Sequence, residues 1–341
     1  MPMLNPFAGD GYSMAALTLA INKYPNMYGL LGDMGLFSEA GQTLRTVIIE
    51  QRNNVLNLLP TMPVGSKGSA GSIGKREMRS FVIPHIPHDD VILPTEVQGL
   101  RAFGSETDTD TIANLMDLKL QTMKKKHDIT KEWHRVGALN GIVYDSDGST
   151  VIYNYFDEFG ITQHSQDFQL TDEDLEVNPV CLAIKRWIET HLYGETMTSI
   201  MALCSPEYFD EFTTHPNVKE AYKFYENAAN NRQNLGADYR EGFKYGGIVW
   251  KEYIGQASEV DGTVHKFITA NEAVAFPLGT SQTFRGVFAP ADFNETVNTV
   301  GLPLYAKQEE RDMQRGWDIH TQSNPLYICT RPEVLVKVTM S

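Results

Sequence analysis

The chain has 341 residues, 42% hydrophobic and 21% charged, with a formal net charge of −14; this suits a folded protein of two or three domains and disfavours a dedicated nucleic-acid binder, which needs a basic face. Cys181, Cys204 and Cys329 are few, odd in number and far apart, so reduced buried thiols are expected rather than a disulfide framework. No window approaches the ~18 apolar residues of a membrane span, and Met1 to Asp10 lacks the basic-then-apolar order of a signal peptide, which places the expected site of synthesis and use in a cytoplasm.

Residues 1–40 are rich in Gly, Met and small residues. Short helices are expected over Ser13 to Asn22 and Gly29 to Phe37, with Pro25, Gly29 and Gly32 keeping them apart. An extended arm follows. It runs out from Thr43 to Leu59, turns at a flexible tip from Gly65 to Gly74 and returns from Lys75 to Val97. Pro84, Pro87 and Pro94 assign the return to a sheet edge or a kinked arm, because proline cannot donate to a ladder. A projecting arm of this length reaches another subunit more often than it serves catalysis.

One very long helix is expected from Ser105 to Asn140. Ser105 with Asp108 and Thr107 with Asp110 approximate capping boxes, and Gly141 is a stop signal. Its roughly 34 residues span about 50 Å, about three times the mean globular helix. Glu106, Asp108 and Asp110 open it and Lys124, Lys125, Lys126, Lys131 and Arg135 crowd its second half, an order that complements the helix dipole. Ile112, Met116, Leu120 and Met123 share one face; Ile129, Trp133 and Val136 share another with Leu115 and Leu118. At about 100° per residue the faces lie roughly 130° apart. The helix therefore serves two packing surfaces or bends around a single core, and the pattern leaves both open.

A hairpin is expected over Ile142 to Tyr155, turning at Asp145-Ser-Asp-Gly148. Helices are expected at Asn178 to His191, after Pro206, and at Lys219 to Ala229. Strands are expected at Ser199 to Leu203, Gly246 to Ile254, Val264 to Thr269 and Glu333 to Thr339, where Val334, Val336 and Val338 alternate with Glu333, Leu335 and Lys337. Helices mixed with antiparallel strands, without an internal repeat, give an α+β class.

No motif for chemistry is complete. The tip ends Gly74-Lys75-Arg76, with Ser69 where a phosphate loop needs its first Gly and Arg where it needs Ser or Thr. His85, His88, Asp89 and Asp90 have metal-ligand chemistry, but Pro84 and Pro87 prevent a helix from aligning the imidazoles. Asp145, Asp147 and Gly148 echo a calcium loop that would need acids at Ser149 and Phe156. Cys204-Ser-Pro-Glu207 sits between strand and helix as a nucleophile would, with His191 and His215 near only in sequence, so a core thiol is the better account. Lys124–Lys126 reads as a solvated helix face rather than a DNA contact. No catalytic, cofactor-binding or metal residue is nominated, and the chain is not expected to be an enzyme or to carry a cofactor.

The order of segments carries more. Ala40-Gly-Gln-Thr-Leu-Arg-Thr-Val-Ile-Ile-Glu50 entering the arm, Arg101-Ala-Phe-Gly104 before the helix, and Asp145-Ser-Asp-Gly-Ser149 with Tyr153-Asn-Tyr-Phe156 resemble a tailed-bacteriophage major capsid protein of the lambda-like capsid protein E family. The resemblance covers nearly the whole chain and implies the Hong Kong 97-type capsid fold. It implies an N-terminal arm at 1–41, an extended loop at 42–100, and a peripheral domain at 101–177 plus 306–341 with the spine helix at 105–140. An axial domain would occupy 178–305, and the C-terminal strand would return to the peripheral domain. It further implies self-assembly into pentamers and hexamers of an icosahedral head around double-stranded DNA, in the bacterial host cytoplasm, without sequence-specific DNA binding or a membrane. The lack of a helical prefix before the arm implies separate scaffolding, protease and portal proteins, and the resemblance to lambda-like relatives implies decoration proteins. Some relatives form Lys–Asn cross-links; Lys67 and Lys75 lie near the tip, but no cross-link is expected. A tail-tube subunit is the alternative, disfavoured by the spine helix; a cytosolic α+β enzyme is the third reading.

Overall fold

The computed structural model describes residues 12–26, 28–52, 76–97, 108–220, 242–259 and 261–340. The tip 65–74 with Lys67 and Lys75, the capping residues Ser105 and Thr107, and positions 221–229 of the helix expected from Lys219 lie outside them, while residues 216–220 are helical.

Helix α1 (Met14–Lys23) begins at Ser13, whose side chain accepts from the Ala16 N–H, and α2 (Leu30–Met34) ends at left-handed Gly35. The extended stretches are β1 (Ser38–Gly41), β2 (Thr46–Arg52), β3 (Arg76–Val82) and β4 (Ile86–Ile92), followed by a single turn α3 (Pro94–Val97). Helix α4 (Asp108–Asn140) has 33 residues, about 50 Å at 1.5 Å each. Gly141 at φ 79° ends it, and only glycine fits, because a Cβ would meet the Phe156 ring at 2.1 Å. The expected hairpin is β5 (Ile142–Tyr144) and β6 (Val151–Asn154), leading to α5 (Tyr155–Phe159) capped by Asn154, then β7 (His164–Asp167). After these come α6 (Val177–His191), β8 (Ser199–Cys204) and α7 (Pro206–Thr214), which Ser205 caps through the Tyr208 N–H. The remaining strands are β9 (Phe243–Tyr245), β10 (Ile248–Glu252), β11 (Gln256–Ser258), β12 (Val264–Lys266), β13 (Glu272–Leu278), β14 (Phe284–Phe288), β15 (Tyr305–Glu310), β16 (Trp317–Ser323), β17 (Pro325–Cys329) and β18 (Val336–Thr339). The strand expected over Gly246 to Ile254 is β10, and Gly246 and Gly247, at φ 59° and 83°, form the turn that leads into it from β9.

The chain divides into two units. Met1–Val47, Phe81–Glu132 and Gly286–Tyr327 form one. Here β15, β16 and β4 make an antiparallel sheet with β4 at its edge, where the missing N–H of Pro87 interrupts nothing beyond. Helix α1 lies on β15: Thr18 Oγ1 accepts from the Ala306 N–H (3.1 Å) and donates to the Ala306 carbonyl (3.2 Å). Leu17, Ile21, Ile92, Met116, Leu120, Met123, Leu304 and Ile319 form the core, each large apolar side chain contributing about 1.5–3 kcal/mol on full burial. The return run is therefore not all projecting arm, since β4 belongs to a packed sheet. Leu115 packs on this same core and Leu118 is 61% exposed. Neither joins the Trp133 face as expected, because a core-facing stripe is wide enough to include the neighbour of Met116.

The other unit is Ile48–Ser80, Trp133–Arg285 and Ile328–Ser341. Its six-stranded sheet runs β7-β18-β13-β8-β10-β9, with β8 parallel to β10, β7 parallel to β18, and the other pairs antiparallel. Helix α6 lies against β13 and α7 against β10. Phe168, Tyr208, Phe212 and Trp250 interlock beneath it, with Phe212–Trp250 centroids 4.4 Å apart and Phe168–Trp250 5.4 Å apart. The C-terminal strand β18 sits between β7, within the span 101–177, and β13, within 178–305. The unit boundary falls within α4, between Glu132 and Trp133. Of the second face, Ile129 falls in the first unit, and Trp133 and Val136 in the second.

Candidate assembly site

The arm begins as a ribbon of only two strands, β2 and β3. The Ile83 N–H donates to the Arg45 carbonyl (2.8 Å), which sets Val47 opposite Phe81 and Thr46 opposite Val82. Alternation then separates two faces. Val47, Ile49, Phe81 and Ile83 are buried; Leu44, Ile48, Met78 and Val82 on the other face are each more than half exposed, at 65%, 58%, 62% and 59%. A two-stranded ribbon is marginal by itself, and an exposed row of large apolar side chains marks a surface that another molecule covers.

The middle of α4 is buried although it is charged. Lys124, Asp128 and Lys131 fall at i, i+4 and i+7, one side of the helix. Lys124 Nζ and Lys131 Nζ reach the Asp128 carboxylate at 3.3 and 2.7 Å, and the three residues are 7%, 1% and 5% exposed. The basic run is thus not a solvated face at Lys124, and Lys131 meets a buried acid rather than the helix dipole; the last turn of α4 holds no basic residue. Glu132, fully buried, accepts from the Leu31 N–H (2.7 Å) and the Gly32 N–H (3.1 Å) at the start of α2, donors a helix cannot satisfy internally. Gly29 makes this approach possible, because a Cβ there would lie 2.4 Å from the Glu132 carboxyl carbon.

Histidines line the same stretch. Thr321 Oγ1 donates to the His88 carbonyl (3.1 Å) and therefore accepts from His127 Nε2–H (2.9 Å). Burial, with Lys131 and His88 adding to it, pushes the His127 imidazole down to about 3. Burial also brings His134 down to about 4, against a smaller opposing effect of Asp145. Both are neutral near pH 7.

The motifs weighed in the sequence disperse to separate partners. His85 Nδ1 meets Asn324 Oδ1 (2.8 Å), His88 Nε2 meets Lys126 Nζ (3.2 Å), Asp89 pairs with His320, and Asp90 accepts from the Val91 N–H (2.8 Å) and Lys119 (3.2 Å). Among the described residues no three His, Cys, Asp or Glu side chains converge as metal ligands. Asp147 accepts from the Thr150 hydroxyl and the Thr150 and Ser149 N–H groups, which hold its carboxyl well below the usual range and make the turn self-sufficient. Cys204 is fully buried and burial raises its thiol. Glu207 pairs with Lys266, His215 bonds the Asp172 carbonyl and His191 the Trp187 carbonyl, so none of them serves Cys204. No described helix is long and apolar enough to cross a membrane. The buried charges of α4 were missed as a group, although the i, i+4 spacing of Lys124 and Asp128 signals the pair; their burial depends on strands remote in sequence.

Known proteins agree with this picture of a scaffold built around surfaces. The chain is 28% identical to the major capsid protein of Pseudomonas phage KPP10 over 345 residues, covering 97% of this chain and 98% of that one. It is 26% identical to the major capsid protein of Salmonella phage Felix O1, covering 98% of each. A solved structure described as a capsid protein of an E. coli CFT073 prophage superposes with a TM-score of 0.60 at 15% identity, over 96% of this chain and 99% of that one. A phage-related protein from Bordetella bronchiseptica RB50 does so at 0.52 and 11%, over 95% and 96%. These two likenesses concern the fold, the Hong Kong 97-type of phage capsids. The profile of phage major capsid protein E matches residues 13–340, and the chain therefore belongs to that family, a structural protein of the virion capsid and not an enzyme.

Proposed function

We propose that this capsid protein assembles into pentamers and hexamers that close an icosahedral head around double-stranded DNA. The head forms in the bacterial host cytoplasm with separate scaffolding, portal and decoration proteins. The observation that carries this reading is the ribbon face of Leu44, Ile48, Met78 and Val82. Covering it on a neighbour removes apolar area from water at ~25 cal/mol per Å², and the gain repeats at every copy of a closed shell. The net charge of −14 limits adhesion of the inner surface to packaged DNA.

Within that reading, the N-terminal arm is 1–41 and the extended loop narrows from 42–100 to about the 48–80 stretch, because β4 pairs with β16. The peripheral domain holds the spine helix, and the axial domain takes the terminal strand β18 with the sheet it completes. Subunits are held without Lys–Asn cross-links, and the arm tip with the spine helix changes most between compact and expanded shells. Negative-stain electron microscopy of the purified protein, alone and with its neighbouring phage proteins, tests the reading. Closed shells or capsomer rings are expected; a monomer that never assembles, even with scaffold, overturns it.

A further inference from the structure

Strand β7 is a four-residue edge of the six-stranded sheet. Its only ladder is the parallel pairing of 164–167 with β18, the weaker kind per residue, which the Phe168 N–H extends by one bond to the Thr339 carbonyl (2.9 Å). Helix α6 supplies a second attachment. Trp187 and His191 stand at i and i+4, on one side of that helix. The His164 imidazole lies on the Trp187 indole with centroids 3.8 Å and planes 10° apart, and the His191 imidazole lies on it at 4.0 Å and 30°. Two rings this near one centroid would overlap on a shared face, so the indole is held between them. Its Nε1–H donates to the Glu333 carbonyl (2.9 Å). His191 Nδ1–H donates to the Trp187 carbonyl (2.8 Å), which leaves Nε2 to gain a proton. All three side chains are half-buried.

The charged groups on the surrounding elements are engaged with other partners or turned away. On β18, Lys337 pairs with Glu272 (2.7 Å). In the turn before it, Arg331 pairs with Glu195 (2.9 Å), and Glu333 accepts from the hydroxyl of Tyr193, whose ring meets His191 edge-on. On α6, Lys185 and Glu189 pair at 3.9 Å, two residues to either side of Trp187 and so across the helix from it, and Arg186 is exposed. On β7 itself, Asp167 alternates to the other face from His164.

One imidazolium on the indole is favourable, because a cation is drawn to the ring face. Two of them on opposite faces of the same indole repel each other. Burial, and then the charge of His191, hold the His164 imidazole below its ordinary range. The unfolded segment takes up both protons near pH 6.5. The attachment is therefore at full strength above that pH and weakens as pH falls below it.

We propose that the His164–Trp187–His191 stack is a pH-sensitive latch, which fastens the sheet edge β7 to α6 at neutral pH and releases it in mild acid. The release is local to the edge and leaves the core around Trp250 in place.

The test uses the unassembled full-length subunit. Nuclear magnetic resonance follows the histidine rings and the tryptophan indole N–H groups from about pH 7.5 to about pH 5, with Trp187→Phe assigning the Trp187 signal. His164 and His191 are expected to take up protons in two separated steps. The Trp187 indole N–H is expected to lose at least about tenfold of its exchange protection at the acid end, while that of Trp250, which donates to the Tyr245 carbonyl, keeps its own to within about twofold. His191→Phe keeps a ring on the indole and removes one charge. It should raise the His164 midpoint and hold the Trp187 protection to within about twofold across the range. The two steps and the local loss are read on the parent chain, so a variant that fails to fold leaves the test intact. A Trp187 indole equally protected at both ends, a His164 midpoint that His191→Phe leaves unmoved, or loss of protection at Trp187 and Trp250 together overturns the proposal, the last because the whole subunit is then opening.

Discussion

The aromatic core under the six-stranded sheet and the middle of α4 are buried to the same degree by opposite chemistry. Phe168, Tyr208, Phe212 and Trp250 exclude water through ring packing. Lys124, His127, Asp128, Lys131 and Glu132 are buried as charges and imidazole, each held by a named partner. Ring packing carries no charge to be neutralised by acid or screened by salt. Buried charge is stable only while every partner is present and correctly protonated. The sheet is accordingly the robust part of the chain, and the helix is the part whose stability conditions can change.

Two truncations put this contrast to the largest test. Trp250→Ala leaves a cavity in the sheet core and is expected to cost about 3–5 kcal/mol. Asp128→Ala removes a carboxylate facing two buried ammonium groups and is expected to cost a similar 3–5 kcal/mol or so. Denaturant midpoints measure both. A second change separates them: Lys131→Met added to Asp128→Ala should recover about 1 kcal/mol or more, because it removes a buried charge. A double variant no more stable than Asp128→Ala would show that α4 is held by shape alone.

Acid gives the next effect. His127 binds a proton in the fold only below about pH 3, while the unfolded chain takes it up near pH 6.5. The unfolded state therefore holds more protons across that window. Stability is full above about pH 6.5 and falls as pH drops toward 3, with a slope near 1.4 kcal/mol per pH unit for each such histidine. His134, at about 4, adds its own slope over a shorter window. His127→Gln keeps a donor for Thr321 and cannot titrate, so its acid limb should be shallower by about one proton. An unchanged limb would place the acid sensitivity elsewhere. Glu132→Gln is smaller again, about 1–3 kcal/mol, because an uncharged amide oxygen still accepts one of the two α2 N–H groups.

Local signals in the sequence were legible and distant ones were not. Ser13, Gly141, Asp145-Ser-Asp-Gly148 and Pro206 mark ends and turns through their own backbone preferences, and the structure uses each that way. Strand β13, which holds Pro277, was not among the strands expected from the sequence, and proline is unusual inside a sheet. The structure tolerates it because β18 pairs with β13 only at 272–275, so Pro277 lies past the point where its missing N–H would be needed. Strands β15 and β16 went unread as well, and with them His320 and Thr321, the partners of Asp89 and His127. The helix spacing shows Lys124 and Asp128 as a pair, yet nothing local to α4 distinguishes a buried pair from a solvated one. The assembly face was legible as an apolar arm; its division into a buried and an exposed row needed the register between Arg45 and Ile83.

The smallest expected effect on the isolated chain separates folding from assembly most cleanly. Ile48 is 58% exposed on the ribbon, so Ile48→Ser removes little that the folded subunit buries and should change its stability by no more than about 0.5 kcal/mol. In a shell the same side chain is covered once per copy. A loss of about 1 kcal/mol per contact, the order of a partly buried apolar side chain, multiplies through a closed assembly. The denaturant midpoint should therefore stay where it is while the protein concentration needed for particles rises severalfold. If midpoint and assembly threshold move together, the ribbon is part of the subunit's own core, and the exposed row has no separate role in the shell. If neither moves, neighbours meet through other surfaces, and Leu44, Met78 and Val82 become the next positions to change.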